Sequence, residues 1–273
     1  WLWKSSTGKA SRWTNYVIPD QQLNAYIIPV WHPSYVVRDD EGDGNSEGLG
    51  EKFYRKELKE LLYLRQLQQI APLKGRPWED VPDYESEVEI VLDQDQVEDS
   101  IDHFIKQGKP VAFDFECDRI NPDPQDSEII CASISDGFTT IAFPFHGKNV
   151  ELMKGLLRSP IGKIGWSLKY EQRWCKAVLG LTVNNWIWDG MLGCHILDNR
   201  EGTKSLKFQS YVKLGQPSYD DHVKKYMDVE DGPNSKNRLK ECPLPKLLRY
   251  CGTDSLLEYK LAVIQAKEIG VEW

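Results

Sequence analysis

The pattern of apolar and polar positions differs between the first 70 residues and the rest of the chain. Residues 24–38 are mostly apolar and predict a strand that runs into His32-Pro33-Ser34. The acidic, glycine-rich stretch 38–48 has no apolar periodicity and predicts a solvated loop. Apolar residues then recur at helical spacing from Phe53 to about Gln69, which predicts an amphipathic helix.

Residues 71–84 contain three prolines and several charges, which predict a linker. We therefore expect one domain at 1–70 and a second at 85–273. Asp136-Gly137 predicts a hairpin turn within the second domain. Its early antiparallel strands and later helices predict an α/β fold with a mixed sheet flanked by helices. Strands are predicted at 88–92, 111–116, 128–135, 138–145 and 163–166, and helices near 97–108, 149–158, 168–178, 189–198, 204–213 and 245–267.

Composition and charge exclude several classes of protein. The chain has 273 residues, of which 40% are hydrophobic, enough for one large domain or two modest ones. No stretch approaches the roughly 18 consecutive apolar residues of a membrane span, and the start lacks the pattern of a signal peptide, so we expect a cytoplasmic protein. Six scattered cysteines without a CxxC pair favour reduced thiols over a metal cluster.

The net charge of −8 argues against a protein that coats nucleic acid by bulk electrostatics. It does not exclude a nuclease. Bound divalent cations would supply the positive charge that attracts phosphate, and carboxylates would hold those cations.

Asp114 and Glu116 stand one residue apart inside the apolar run 111–116. In a strand, residues i and i+2 share a face, so both carboxylates would lie side by side while Phe113 and Phe115 point into a core. Two adjacent negative charges repel unless a cation lies between them, and Mg²⁺ takes oxygen ligands of this kind. This segment alone fits a metal site and an edge strand with a solvated acidic face equally well.

Two later segments carry further acids that also have ordinary structural explanations. Glu171 falls in the first turn of the helix predicted at 168–178, where its charge complements the helix dipole. Tyr250 and Asp254 are one turn apart and share a face of the final helix. The pair could orient a water molecule beside a metal ion or be a simple surface pair.

Taken together, Asp114-x-Glu116 on a strand, Glu171 at a strand-to-helix junction and Tyr250-x-x-x-Asp254 on a late helix resemble the DnaQ-like (DEDD) 3′-5′ exonucleases. The closest resemblance is to the proofreading domain of bacterial and phage family A DNA polymerases, over roughly residues 85–270. The segments 188–198 and 205–215 are similar to the family's connecting helices. The resemblance implies a ribonuclease H-like fold and hydrolysis of DNA from a 3′ end to 5′ mononucleotides.

Roles follow from this resemblance position by position. Asp114, Glu116 and Asp254 would hold the Mg²⁺ or Mn²⁺ ion that carries the attacking water, with Asp114 bridging to a second ion about 4 Å away. Glu171 would hold the second ion through a water molecule, and Tyr250 would orient the attacking water. Glu171 and Ser167 replace the family's usual Asp and Asn, which implies either a weakened activity or a retained but inactive fold.

Substrate contacts are expected from residues in or beside these motifs. Bases can stack on exposed aromatic rings, although the same rings could belong to the core. The polar segment 220–240, with five basic residues, fits either a strand-guiding loop or a solvated loop. The predicted contacts are Cys117, Trp166, Ser167 and Tyr170.

The N-terminal segment 24–62 resembles the C-terminal part of the uracil-DNA glycosylase superfamily. His32 would match the histidine that reaches a flipped base, or be a lone structural histidine. The family's water-activating acid and cysteine cluster have no counterpart here, which implies a truncated or vestigial α/β glycosylase-like piece.

The leading interpretation is a metal-dependent 3′-5′ DNA exonuclease of phage replication or repair, acting in the cytoplasm of a bacterial host. Its expected partners are single-stranded 3′ ends, with a DNA polymerase as a candidate partner. One alternative is an exoribonuclease of the ribonuclease D type, which shares the four acids and the tyrosine. The other is a noncatalytic module that binds DNA or a polymerase.

Overall fold

The computed structural model describes residues 12–37, 49–229, 232 and 234–273. These residues form two compact units. The first contains the described residues up to Pro82 together with Tyr211–Pro217. The second contains Asp83–Ser210 and the described residues from Ser218 onward.

The N-terminal part of the first unit has a short hairpin and two helices. The strand predicted over 24–38 was wrong in extent, since only Ala25–Ile27 is a strand. Proline cannot donate to a strand ladder, and Pro33 is suited to the first position of a helix, where one begins. The solvated loop predicted at 38–48 lies outside the described residues. The elements are β1 (Ile18–Asp20), antiparallel to β2 (Ala25–Ile27), then α1 (Pro33–Val37) and α2 (Leu49–Ile70). The helix predicted from Phe53 to about Gln69 is confirmed by α2, but its leucines at 58, 61, 64 and 67 are exposed.

Residues 211–217 are joined to the hairpin of this unit. The Tyr211 hydroxyl donates a hydrogen bond to Asp20 Oδ2 at 2.9 Å, and the Gln21 amide donates to the Gly215 carbonyl at 3.2 Å. Gly215 has φ +66°, and a Cβ there would lie 1.5 Å from the carbonyl oxygen of Pro19. Only glycine therefore fits at this position.

The second unit is built on a six-stranded mixed sheet. Its strands are β3 (Val88–Ile90), β4 (Val111–Cys117), β5 (Ile129–Ser135), β6 (Thr140–Pro144), β7 (Lys163–Gly165) and β8 (Trp186–Asp189). They lie in the order β3-β6-β5-β4-β7-β8, and β5 pairs antiparallel with both β4 and β6, whereas the other neighbouring pairs are parallel. This confirms the predicted mixed sheet, but β8 was missed because it has four half-buried residues without alternation.

Helices flank this sheet, which gives the expected ribonuclease H-like α/β fold. The segment 220–240 is not the continuous loop that its polarity suggested. It contains a helix, in which Val223 is buried, and a 3-10 turn, in which Leu239 is buried. No helix among the described residues is long and apolar enough to cross a membrane. The helices are α3 (Gln94–Gln107), α4 (Lys148–Arg158), α5 (Leu168–Val178), α6 (Gly190–Leu197), α7 (Leu206–Leu214), α8 (Asp221–Met227) and α9 (Leu244–Ile269), with the 3-10 turn at Leu239–Glu241.

The two faces of β4 meet different layers. Phe113 and Phe115 enter the main hydrophobic core, which also includes residues of α3, α4 and α5. Ala112, on the opposite face, packs in a small cluster with Ala262 of α9. The alternation along the strand therefore directs Asp114 and Glu116 toward the α9 side of the sheet.

Glycine lets α9 approach the sheet closely. A Cβ at Gly252 would lie 2.2 Å from a methyl carbon of Val88.

The predicted Asp136-Gly137 turn is also present: the Asp136 carboxylate accepts hydrogen bonds from the Phe138 and Thr139 amides, and Gly137 has φ +83°.

Candidate active site

Asp114 and Glu116 lie on the central strand β4, side by side on the face toward α9. Glu116 is buried and Asp114 is half-buried. Potential ligand atoms of Asp114, Glu116 and Cys251 all lie within 4.8 Å of one another. The Cys251 thiol donates toward the Asp114 carbonyl at 3.6 Å, so this sulfur already acts as a donor.

Tyr250 and Asp254 are buried on α9, one turn apart, with 5% of each exposed. Lys207 of α7 joins them: its Nζ lies 2.6 Å from both Tyr250 Oη and Asp254 Oδ2. The Tyr219 hydroxyl donates a hydrogen bond to the other oxygen, Asp254 Oδ1. Asp254 is thus held between an ammonium group and a phenol, which rules out the simple surface pair.

Glu171 is buried in the first turn of α5. The turn before it depends on Asp189, whose carboxylate accepts hydrogen bonds from the Ser167 and Leu168 amides at 3.2 and 3.1 Å. The same carboxylate caps α6 by accepting from the Met191 amide. Ser167 adopts the left-handed conformation, with φ +72°, which is uncommon for residues other than glycine, asparagine and aspartate.

The acids repel one another in this buried setting. Burial, followed by the charge of Asp254, raises the pKa of Asp114 to about 7. Burial and the charge of Asp114 raise the pKa values of Glu116 and Glu171. Burial lowers the pKa of Lys207, but the charge and hydrogen bond of Asp254 together with the charges of Glu116 and Asp114 outweigh it, so the net pKa is raised and the ammonium stays charged.

The predicted substrate contacts differ in accessibility. Trp166 is half-buried, and its Nε1 donates a hydrogen bond to the Lys204 carbonyl. Its ring packs on Gly190, where a Cβ would lie 2.2 Å from a ring carbon. Tyr170 and Ser167 are half-buried. Cys117 is buried, with 3% exposed. Their contact with a substrate stays a prediction.

Basic residues of the segment 220–240 are partly engaged within the chain. Lys236 lies 2.9 Å from Asp126, Lys240 forms an ion pair with Glu128, and Arg238 donates to the Lys225 carbonyl.

His32 belongs to the first unit; it is exposed, and its Nδ1 lies 2.7 Å from the Ser34 hydroxyl. Its glycosylase-like role stays a prediction.

Four residues near the acids were not assigned roles from sequence. Lys207 lies in a segment recognised only as family-like, and Cys251 and Tyr219 carry no distinctive motif. Glu258 is buried with 2% exposed, and burial followed by the charge of Asp114 raises its pKa. The sequence does carry a signal for Glu258, because it is an acid four residues after Asp254 inside an apolar stretch of the helix.

The cluster fits a divalent cation. Asp114 Oδ2, Glu171 Oε2 and Glu258 Oε2 are buried carboxylate oxygens that have no hydrogen-bond partner among the described residues. A buried polar atom in this state costs free energy, and hard cations such as Mg²⁺ and Mn²⁺ prefer oxygen ligands. The fold and this acidic site together define a nuclease of the ribonuclease H-like, DnaQ type.

Comparison with known families agrees with this class. The sequence model of the 3′-5′ exonuclease family matches residues 88–269, which is most of the chain, and the protein belongs to that family. No curated protein matches the chain.

Solved structures of ribonuclease D share the fold. Escherichia coli RNase D, an exoribonuclease involved in structured RNA processing, has TM-score 0.51 and 14% identity over 67% of this chain and 46% of its own. Trypanosoma brucei RNase D matches with its GMP complex (TM-score 0.51, 11% identity, 67% of this chain and 57% of that one). The complex of the same protein with RNA U12 has TM-score 0.50 and 12% identity, over 66% of this chain and 65% of its own. The matched region thus spans less than half of the E. coli protein.

Proposed function

We propose that this chain is a metal-dependent exonuclease that removes 5′ mononucleotides from single-stranded 3′ ends of DNA. The observation that carries the proposal is the group of buried acids from β4, α5 and α9 whose carboxylate oxygens have no hydrogen-bond partner in the part of the chain that the structure describes. Asp114, Glu116, Glu171 and Asp254 would hold two Mg²⁺ or Mn²⁺ ions. Such ions, when bound, act as Lewis acids toward the phosphodiester and its attacking water.

Tyr250 would orient the attacking water through its phenol. Burial and the charge of Asp254 raise the pKa of Tyr250, so the hydroxyl keeps its proton and can donate a hydrogen bond. Lys207 contacts both Tyr250 and Asp254 and would hold their relative position. Asp189 would keep Glu171 in place through the Ser167 and Leu168 amides.

Degradation of a 5′-labelled single-stranded DNA tests the proposal. With Mg²⁺ or Mn²⁺ we expect a ladder that shortens from the 3′ end, and no ladder with EDTA or in Asp114→Ala. Glu89→Gln, which removes an exposed acid from β3 of the same sheet, is the matched control and should keep the wild-type rate. A wild-type rate in Asp114→Ala would refute the site.

A ribonuclease D-type exoribonuclease is the second candidate, and it is at least as well supported. The solved structures that share this fold include RNase D of two organisms, one of them bound to RNA. DNA and RNA oligonucleotides of matched sequence separate the two candidates, because they differ in the 2′-hydroxyl. Faster release of mononucleotides from RNA would favour this second candidate.

A noncatalytic module is the third candidate. It is favoured by Ser167 and Glu171, which depart from the residues usual in the family. Oligonucleotide binding without metal-dependent turnover would identify it. Glu171→Asp tests the departure separately: a faster rate would mean that the longer acid has weakened the site.

The N-terminal residues would be a remnant of a glycosylase domain at 1–70, joined by a linker at 71–84 to the exonuclease domain at 85–273. A role in replication or repair, beside a DNA polymerase, would follow from the same resemblance. We expect the chain to release no uracil from uracil-containing DNA. Measurable uracil release would contradict the remnant.

A further inference from the structure

Glu258 is a buried acid of α9 that lies outside the motifs described above. It lies one helical turn after Asp254, on the helix that packs against β4. Its side chain is 2% exposed, and its Oε2 is buried without a hydrogen-bond partner among the described residues. A purely structural glutamate in such a place would be expected to have both oxygens hydrogen-bonded.

The surroundings of Glu258 are acidic. Burial raises the pKa of Glu258, and the charges of Asp114, Glu171 and Asp254 raise it further, whereas Lys207 lowers it. Asp114 and Glu171 each also have one buried oxygen without a hydrogen-bond partner in the described part of the chain. The three unpartnered carboxylate oxygens come from a strand and two different helices.

The charges of the cluster support a cation beside Glu258. When ionised, Asp114, Glu116, Glu171, Asp254 and Glu258 carry five negative charges, and Lys207 carries one positive charge. The remaining four negative charges equal the charge of two divalent cations. The four family acids alone would leave three, so Glu258 adds one negative charge to the set that would hold the cations.

We propose that Glu258 is a fifth acidic ligand of the metal site and holds one of its two divalent cations. The inference rests on the proposed metal-dependent function and adds a ligand to it. Glu258 would supply a direct oxygen for the ion that the family resemblance assigns to Glu171 through water. Removing it should therefore weaken one ion more than the other.

Calorimetric titration of the full chain with Mn²⁺ alone tests this assignment. We expect two ions to bind the wild type, and Glu258→Gln to lose one of them or weaken it at least about tenfold, the scale seen when groups supporting a metal are removed. Glu268→Gln removes an exposed acid from the same helix and is the matched control, with unchanged binding. Circular dichroism in EDTA verifies that each variant is folded.

The outcomes separate the ligand from the site. A folded Glu258→Gln protein with wild-type stoichiometry and Kd for Mn²⁺ overturns the role of Glu258. If Asp114→Asn also binds Mn²⁺ normally, the proposed metal site itself fails. Should Glu258→Gln not fold, Glu258→Asp retracts the carboxylate by one methylene. A weaker Kd for one ion in that variant supports the role, and a wild-type Kd overturns it.

Discussion

Replacing Asp114 by Asn should stabilise the metal-free protein at alkaline pH while abolishing its nuclease activity. Asn keeps the shape of the side chain but carries no charge. In the folded protein, burial and then Asp254 raise the pKa of Asp114 from 3.8 to about 7. The ionised carboxylate is therefore unfavourable in the folded state without metal.

The size of this effect follows from the pKa. The difference between 3.8 and about 7, at about 1.4 kcal/mol for each pKa unit, is about 4 kcal/mol. Asp114 is half-buried, so solvent screens part of the repulsion and we expect a gain of about 2–4 kcal/mol at pH 8. A gain of about 3 kcal/mol would raise Tm by roughly 6–12 °C in a protein of this size.

The sign of the pH dependence is set by proton binding. Between pH 3.8 and about 7 the folded state keeps a proton on Asp114 that the unfolded state has lost. The free energy of unfolding therefore falls as the pH rises through this window. The advantage of Asp114→Asn should be full at pH 8, less than half as large at pH 5, and absent below the unfolded pKa.

Urea denaturation in EDTA, followed by circular dichroism at pH 8 and pH 5, measures this difference. Glu89→Gln, the exposed acid of β3, is the control and should leave the unfolding free energy within about 0.5 kcal/mol of wild type. The reasoning is refuted if Asp114→Asn is no more stable than wild type at pH 8, or if its gain is the same at both pH values.

Three further substitutions test other contacts. Ser167→Asn should stabilise by about 0.5–1 kcal/mol in urea denaturation, because Asn tolerates the left-handed conformation at φ +72° better than Ser; a destabilised variant would contradict this. Gly215→Ala should destabilise by about 1–3 kcal/mol or more, because its Cβ would collide with the Pro19 carbonyl; wild-type stability would show that the backbone adjusts. Lys207→Met should destabilise the metal-free protein by about 3–5 kcal/mol at pH 8, because it leaves the buried Asp254 carboxylate without its ion pair. Lys240→Met breaks an exposed ion pair and should cost under about 1 kcal/mol, so equal losses in the two variants would contradict the role of Lys207.

Local periodicity was sufficient for most of the secondary structure in the second unit. Period-two alternation in β4 predicted that Asp114 and Glu116 share a face opposite Phe113 and Phe115, and the core contacts confirm the position of both rings. Helical spacing likewise predicted that Tyr250 and Asp254 share a face, and one lysine contacts both. Prediction was poorer where elements are short, as in β8 and α8, because a few residues carry too little pattern.

The sequence by itself thus determined which side chains share a face of one element, since this depends only on the geometry of strands and helices. The tertiary structure decided which faces meet. It brought Lys207 and Tyr219 to Asp254, and left Glu258 buried among acids far away in the chain. Such contacts depend on the packing of α7 and α9 and on the chain path through residue 219. They depend on the summed burial of many residues, which no local pattern encodes.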